Sequence, residues 1–136
     1  MTVSEQRAAF DRAIDAWNAG DLTRYLELYS DRIQLHGYSE QPMGKSEVKG
    51  FYEGIFAALS DMELEIHEVI EQGDQLGCRF TMHGTHTGEL AGIAATGRRI
   101  HQPGFTIVRF EGAQIVERHS LADFDTVVAQ LTSPNP

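Results

Sequence analysis

The hydrophobic period of this chain changes at residue 62, and that switch constrains the fold more than any other feature. Before it, apolar residues recur at three- and four-residue spacing; after it they alternate. Phe10, Ile14 and Trp17 mark a first helix, with Ser4 placed to cap its start and Gly20 to end it. After Asp21, an N-cap residue, Leu22, Tyr25, Leu26 and Tyr29 form one stripe of a short second helix, so the two helices pair as a hairpin. Ile33 and Leu35 alternate with Gln34 and His36, which predicts a short strand. Val48, Phe51, Tyr52, Ile55, Phe56 and Leu59 then give a third helix with a wide apolar face, ended by Ser60-Asp61.

From residue 62 onward Met62, Leu64, Ile66 and Ile70 alternate with Glu63, Glu65, His67 and Glu71, so one face is wet. Gly73-Asp74 is a two-residue hairpin signal. The return strand, 75–88, puts Leu76, Cys78, Phe80 and Met82 on one side. Residues 88–97 break the alternation as a loop, strands follow at 98–110 and 114–122, and 124–131 is a final helical stretch. At ~3.3 Å per residue the strands would run about 30 Å or more, comparable with the width of the domain, so they must curl. The expected fold is α+β: a cone-shaped barrel with N-terminal helices packed in a strongly curved, mostly antiparallel sheet. A blind cavity for a small apolar ligand lies between sheet and helices. Residues 1–131 form this single domain and 132–136 a flexible tail.

Charge narrows the partners. Eleven Lys plus Arg against 20 Asp plus Glu leave a net −9, which repels phosphate backbones and anionic lipid, so neither nucleic acid nor membrane is an expected partner. The first residues lack the basic and apolar stretches of a signal peptide, and a cytoplasmic protein is expected. The single cysteine, Cys78, excludes a disulfide framework and reads as a buried, inert thiol.

Most motif-borne chemistries are missing. Gly44-Lys45-Ser46 mimics the end of a phosphate loop but lacks its first glycine, Ser39 standing there, and reads as a helix start. There is no dinucleotide fingerprint and no nucleophile elbow. Six histidines invite a metal reading, yet His83 and His86 are three apart on a strand and point to opposite faces, and no metal is expected.

Asp123 stands at the junction of the last strand with the final helix. It can cap that helix, or it can be a carboxylate at the cavity wall that takes a proton from carbon next to a carbonyl; the two readings are compatible. Regular alternation gives it one face with His119, which could bond a substrate oxygen or orient Asp123, or be an ordinary half-buried histidine. His36 carries the same ambiguity. His86 shares the parity of Phe80 and Met82 and faces inward, and Gln102 shares that of Thr106 and Val108, adding a neutral donor to the wall. Trp17, Tyr29 and Phe51 are candidate lining residues, though aromatics at helical spacing also make ordinary core.

The stretch from Arg79 through Gly84-Thr85-His86-Thr87-Gly88-Glu89, then Gly92-Ile93, Thr96-Gly97-Arg98-Arg99, Ile107-Val108-Arg109-Phe110 and Gln114-Ile115-Val116-Glu117, resembles the SnoaL-like polyketide cyclases. Trp17-Asn18-Ala19-Gly20-Asp21 is similar to that family's helix-hairpin turn, so the resemblance covers nearly the whole chain. It implies the cone fold of the nuclear transport factor two superfamily and a homodimer through the outer sheet face. It also implies an intramolecular aldol condensation on an aromatic polyketide ester without metal or cofactor. The family's acid/base aspartate falls on Asp123, and His36 matches a common pocket histidine.

The expected function is therefore a cofactor-independent acid/base enzyme acting on a small hydrophobic carbonyl compound. Asp123 would be the base, with His119, Gln102 or His86 at the enolate oxygen. An epoxide hydrolase or ketosteroid-type isomerase is the neighbouring alternative; the hydrolase needs a second inward carboxylate paired with arginine, for which Glu117 and Arg99 are the candidates. A non-catalytic small-ligand-binding domain is the third. An enclosed pocket with Asp123 in its wall favours an enzyme, and a filled core with Asp123 only a cap favours binding.

Overall fold

The computed structural model describes residues 4–134; Met1–Val3 and the last two residues of the expected tail, Asn135 and Pro136, lie outside the described residues. Three helices, α1 (Glu5–Asn18), α2 (Leu22–Leu26) and α3 (Lys45–Ala58), accompany strand β1 (Tyr29–His36). Four longer strands and a closing helix follow: β2 (Leu59–Gln72), β3 (Gln75–His86), β4 (Arg99–Glu111), β5 (Gln114–Ala122) and α4 (Phe124–Thr132). The sheet order is β1-β5-β4-β3-β2, antiparallel except where β1 runs parallel to β5. The α+β class and its curved sheet are as expected.

Local chemistry explains most boundaries. Ser4 accepts from the Arg7 amide and Asp21 from the Arg24 amide, each at 3.1 Å, so both expected caps start their helices. Tyr29 does not continue the second helix. That helix tightens at Glu27 and Leu28 into bonds back to the carbonyls of Arg24 and Tyr25, and the Lys45 ammonium takes up the freed carbonyls of Leu26 and Tyr29. Tyr29 thus becomes the first residue of β1. Leu59 likewise leaves α3 and opens β2, its amide making the last bond of the helix, to the Ile55 carbonyl.

The register of β2 shifts twice, between Ser60 and Glu63 and again between Ile66 and Glu68. Ile66 pairs with Phe80 but Glu68 with Arg79, so His67 is an extra residue and the inner face shifts by one. Val69 packs on the core in consequence, while Ile70 is 68% exposed. Two glycines let backbones and rings meet closely. A Cβ on Gly104 would lie 2.7 Å from the Phe80 ring, and one on Gly37, whose φ is +113°, would lie 1.9 Å from the Ser120 carbonyl oxygen. Gly37 is where β1 leaves the sheet at the mouth of the cone.

Candidate functional site

A cavity of about 390 Å³ lies between the concave sheet and the helices. Trp17 of α1, Phe51 and Ile55 of α3, Phe80 and Met82 of β3 and Ile100 of β4 supply an apolar wall, and Leu90 of the 87–98 loop and Phe124 of α4 also border it. Its polar residues are Gln102, Tyr25, Tyr38, Tyr52 and Arg118. Among the described residues no carboxylate lines it.

Arg118 is the residue that alternation misplaces. Phe110 pairs with Ile115 but Arg109 with Glu117, so Val116 is an extra residue in β5. Beyond this bulge Arg118 and Ser120 face inward, 9% and 7% exposed, while His119 and Leu121 face out. Arg118 Nε donates to Thr106 Oγ1 at 2.8 Å; Nη1 donates to the hydroxyls of Tyr29 (2.6 Å) and Tyr52 (2.5 Å), with Tyr25 at 3.4 Å. Nη2 has one long bond, 3.4 Å to Ser120 Oγ. The phenols join one another, Tyr25 to Tyr29 and Tyr29 to Tyr52 at 2.8 Å each, and Tyr38 meets Ser120 Oγ at 2.9 Å. Burial pushes the hydroxyls of Tyr25, Tyr38 and Tyr52 up from their ordinary range, which keeps them neutral beside the cation.

The residues expected at the site separate into three groups. Trp17, Phe51 and Gln102 line the cavity, and Tyr29 holds Arg118 from behind. His86 is fully buried as its parity predicted, but it serves a loop: its Nδ1 accepts from the Thr96 amide at 3.1 Å and lies 2.9 Å from Thr96 Oγ1. His36, His119 and Asp123 lie elsewhere. His119 stacks on His36 on the outer side of the sheet, centroids 4.1 Å apart and planes within 9°, with Glu117 Oε2 3.3 Å from His36 Nε2 and 3.7 Å from His119 Nε2. The three side chains bring their ligand atoms within 4.8 Å of one another, with the lone pairs of the two stacked rings held in nearly parallel planes.

Asp123 caps α4. Its carboxylate accepts from the Thr126 amide at 3.0 Å and the Thr126 hydroxyl at 2.6 Å, and these bonds hold its pKa below the ordinary aspartate value. The expected place in the cavity wall is corrected: the side chain is exposed, in a shallow surface groove, while its chain neighbours Ala122 and Phe124 face the cavity. The bulge at Val116 is the physical reason, because it turns His119 and Leu121 outward. The hydrolase pair is not assembled either. Arg99 donates to the Asp61 carbonyl and Thr85, whereas Glu117 sits by Arg109 and His36.

Sequence reasoning missed Arg118, Tyr38, Tyr52 and Ser120 as a group. The available signal was Ile115-Val116, two adjacent apolar residues in a strand with one wet face, a pairing that a regular strand cannot bury and a bulge can.

Known proteins with this pattern include polyketide cyclases. The family model for SnoaL-like polyketide cyclase matches residues 7–131. Aklanonic acid methyl ester cyclase AcmA of Streptomyces galilaeus is 26% identical over 143 residues, covering 98% of this chain and 95% of that one. Nogalonic acid methyl ester cyclase of Streptomyces nogalater is 23% identical over 128 residues, covering 90% and 94%. Among solved structures, the candidate hydroxylase AclR of Streptomyces galilaeus superposes with a TM-score of 0.87 at 24% identity, over 96% of this chain and 97% of that one. The candidate polyketide cyclase IdmH of Streptomyces antibioticus gives 0.80 at 26%, over 94% and 99%. No helix among the described residues is long and apolar enough to cross a membrane. With the family pattern spanning 7–131 and the cone and its cavity in place, the chain belongs to the SnoaL-like polyketide cyclase family.

Proposed function

We propose that this chain closes a ring in a small hydrophobic polyketide-type carbonyl compound held in the cavity. The observation that carries the reading is an apolar chamber whose polar residues are hydrogen-bond donors: the Arg118 guanidinium, the phenols bound to it and Gln102. Such donors suit a carbonyl oxygen that gains negative charge as a proton leaves the neighbouring carbon. The names of AcmA and its nogalonic counterpart, both methyl ester cyclases, support the substrate class.

The reaction is an intramolecular aldol addition. A base removes a proton from carbon next to one carbonyl, the resulting enolate carbon attacks a second carbonyl carbon, and the new alkoxide takes up a proton. One C–H bond breaks, the C=O π bond becomes a C–O single bond, one C–C and one O–H bond form, and there is no net redox change, so the proposal needs no cofactor. Arg118 and Gln102 stabilise the oxygens, and the apolar wall holds the two carbonyls together. Asp123 is the proposed acid/base: it is ionised, and to act it must release Thr126 and turn inward between Ala122 and Phe124.

The same cap supports a second reading, a binding domain without turnover, because a carboxylate already engaged by Thr126 has a complete structural role. Asp123→Asn separates the two, since asparagine caps about as well but cannot take the proton. With an aromatic polyketide methyl ester and chromatography for its cyclised isomer, the expected loss is roughly 10²–10⁴-fold. Full activity in the folded variant removes Asp123 from the mechanism, and no turnover in the wild type leaves the binding reading. The proposed partner is a second copy of the chain on the outer sheet face, where Phe105, Ile107 and Leu121 stand exposed.

A further inference from the structure

Among the described residues, Arg118 is a buried cation without an anion. Its bonds among the described residues all end on hydroxyl groups, of Thr106, Ser120 and three tyrosines, and no carboxylate lines the cavity beside it. A guanidinium taken out of water is costly unless a negative charge meets it, and a neutral phenol brings only a dipole. A counter-charge that the protein does not supply is left for the ligand.

The geometry also selects among anions. A carboxylate pairs best with two donors of an arginine fork. Here Nη1 is committed to Tyr29 and Tyr52, and Nε to Thr106, which leaves Nη2 with its single 3.4 Å contact to Ser120. One free donor edge at the end of an apolar chamber suits one oxygen of a delocalised, hydrophobic anion. We propose that the cavity binds its substrate as a 1,3-dicarbonyl enolate, one enolate oxygen against Arg118, so that the protein favours the ionised nucleophile before the ring closes.

This rests on the cavity being the substrate site. In the ionisation the C–H bond between the carbonyls breaks, or the O–H bond of the enol does. The electron pair spreads over the O–C–C–C–O unit, and the proton passes to the proposed base Asp123 and from it to solvent. Arg118 then lowers the basicity demanded of the base, which fits a wall without a carboxylate among the described residues. The nucleophilic carbon would be generated in the ground state of the complex rather than fleetingly.

Benzoylacetone tests this directly, because its enolate and neutral enol have different ultraviolet spectra. Its 2,2-dimethyl derivative, of similar shape, cannot form the conjugated enol. Titrated on the full chain, bound benzoylacetone is expected to ionise at least about one pH unit below its free value, a tenfold preference for the anion. The dimethyl derivative is expected to bind at least about tenfold more weakly at neutral pH. In Arg118→Met, bound benzoylacetone should titrate at its free value, and Arg118→Lys, which keeps a cation, should retain part of the shift. If both compounds bind the wild type equally and benzoylacetone titrates unshifted, the enolate inference is overturned while the cavity stands as a ligand site. If neither enters the cavity, the functional reading falls and this inference with it.

Discussion

Arg118 and Tyr29, 89 residues apart in sequence, meet at 2.6 Å inside the cone. The contact joins the first strand to the fifth beneath the cavity, and Tyr52 of α3 completes it, so one guanidinium ties three elements together. It does so without an ion pair. Buried charges contribute little net stability even when paired, and apolar replacements of similar volume are often neutral or stabilising by about 1–4 kcal/mol.

Arg118→Met should therefore leave the thermal midpoint at or above the wild-type value. The three phenols can still bond one another at 2.8 Å distances, and methionine fills most of the arginine stem's volume. Ligand binding and turnover should fall together. Calorimetry checks the first part, and a midpoint lowered by more than a few degrees would show that the arginine is there for stability.

How much of this was legible in the sequence follows from where the strands are regular. In β3 and β4 the alternation holds through Leu76, Cys78, Phe80 and Met82 and through Gln102, Thr106 and Val108, and the inward residues were read correctly. In β2 and β5 extra residues at His67 and Val116 shift the faces, so Ile70, His119 and Leu121, which regular alternation puts inside, stand outside. Asp123 and His119 were placed together by that parity. Helix caps were legible because capping is local chemistry. A buried arginine was not, because its partners Tyr29, Tyr52 and Thr106 come from three distant segments.

Alkaline pH should unfold the domain cooperatively. Burial raises Tyr25, Tyr38 and Tyr52 above their ordinary value of 10.0, so the folded state keeps phenol protons that the unfolded state releases. Their contribution is complete below pH 10 and is lost as pH rises through that value toward the raised ones. The tyrosinate absorbance of these residues should appear together with loss of near-ultraviolet circular dichroism. Tyrosinate from Tyr25, Tyr38 and Tyr52 forming in a still-folded protein would contradict the burial argument.

His86→Ala should free the loop over the cavity. The loop is closed at its base by His86: the ring accepts from the Thr96 amide, and the backbone exchanges bonds with Arg98 and Gly97. Losing a buried ring that satisfies a backbone donor should cost about 2 kcal/mol or more. Hydrogen exchange should accelerate chiefly between residues 88 and 97, including Leu90 at the cavity, while the β3–β4 ladder stays protected. A uniform loss of protection would instead make His86 a general core residue.

The outer sheet face yields the remaining prediction. Phe105 and Leu121 are directly paired across β4 and β5 and are 60% and 75% exposed, with Ile107, itself 53% exposed, two residues further along β4. A contiguous apolar patch on a chain of net charge −9 is not needed for solubility, and a second copy would present the same patch to it. Leu121→Asp places a charge in the centre of that patch without touching the cavity lining. Light scattering should give a dimer mass for the wild type and a monomer mass for the variant, with circular dichroism unchanged. A wild type that stays monomeric at high concentration would show that the patch serves something other than self-association. The variant's ring-closure rate then tells whether the cavity acts within one protomer: a monomer that keeps full turnover has a complete site of its own.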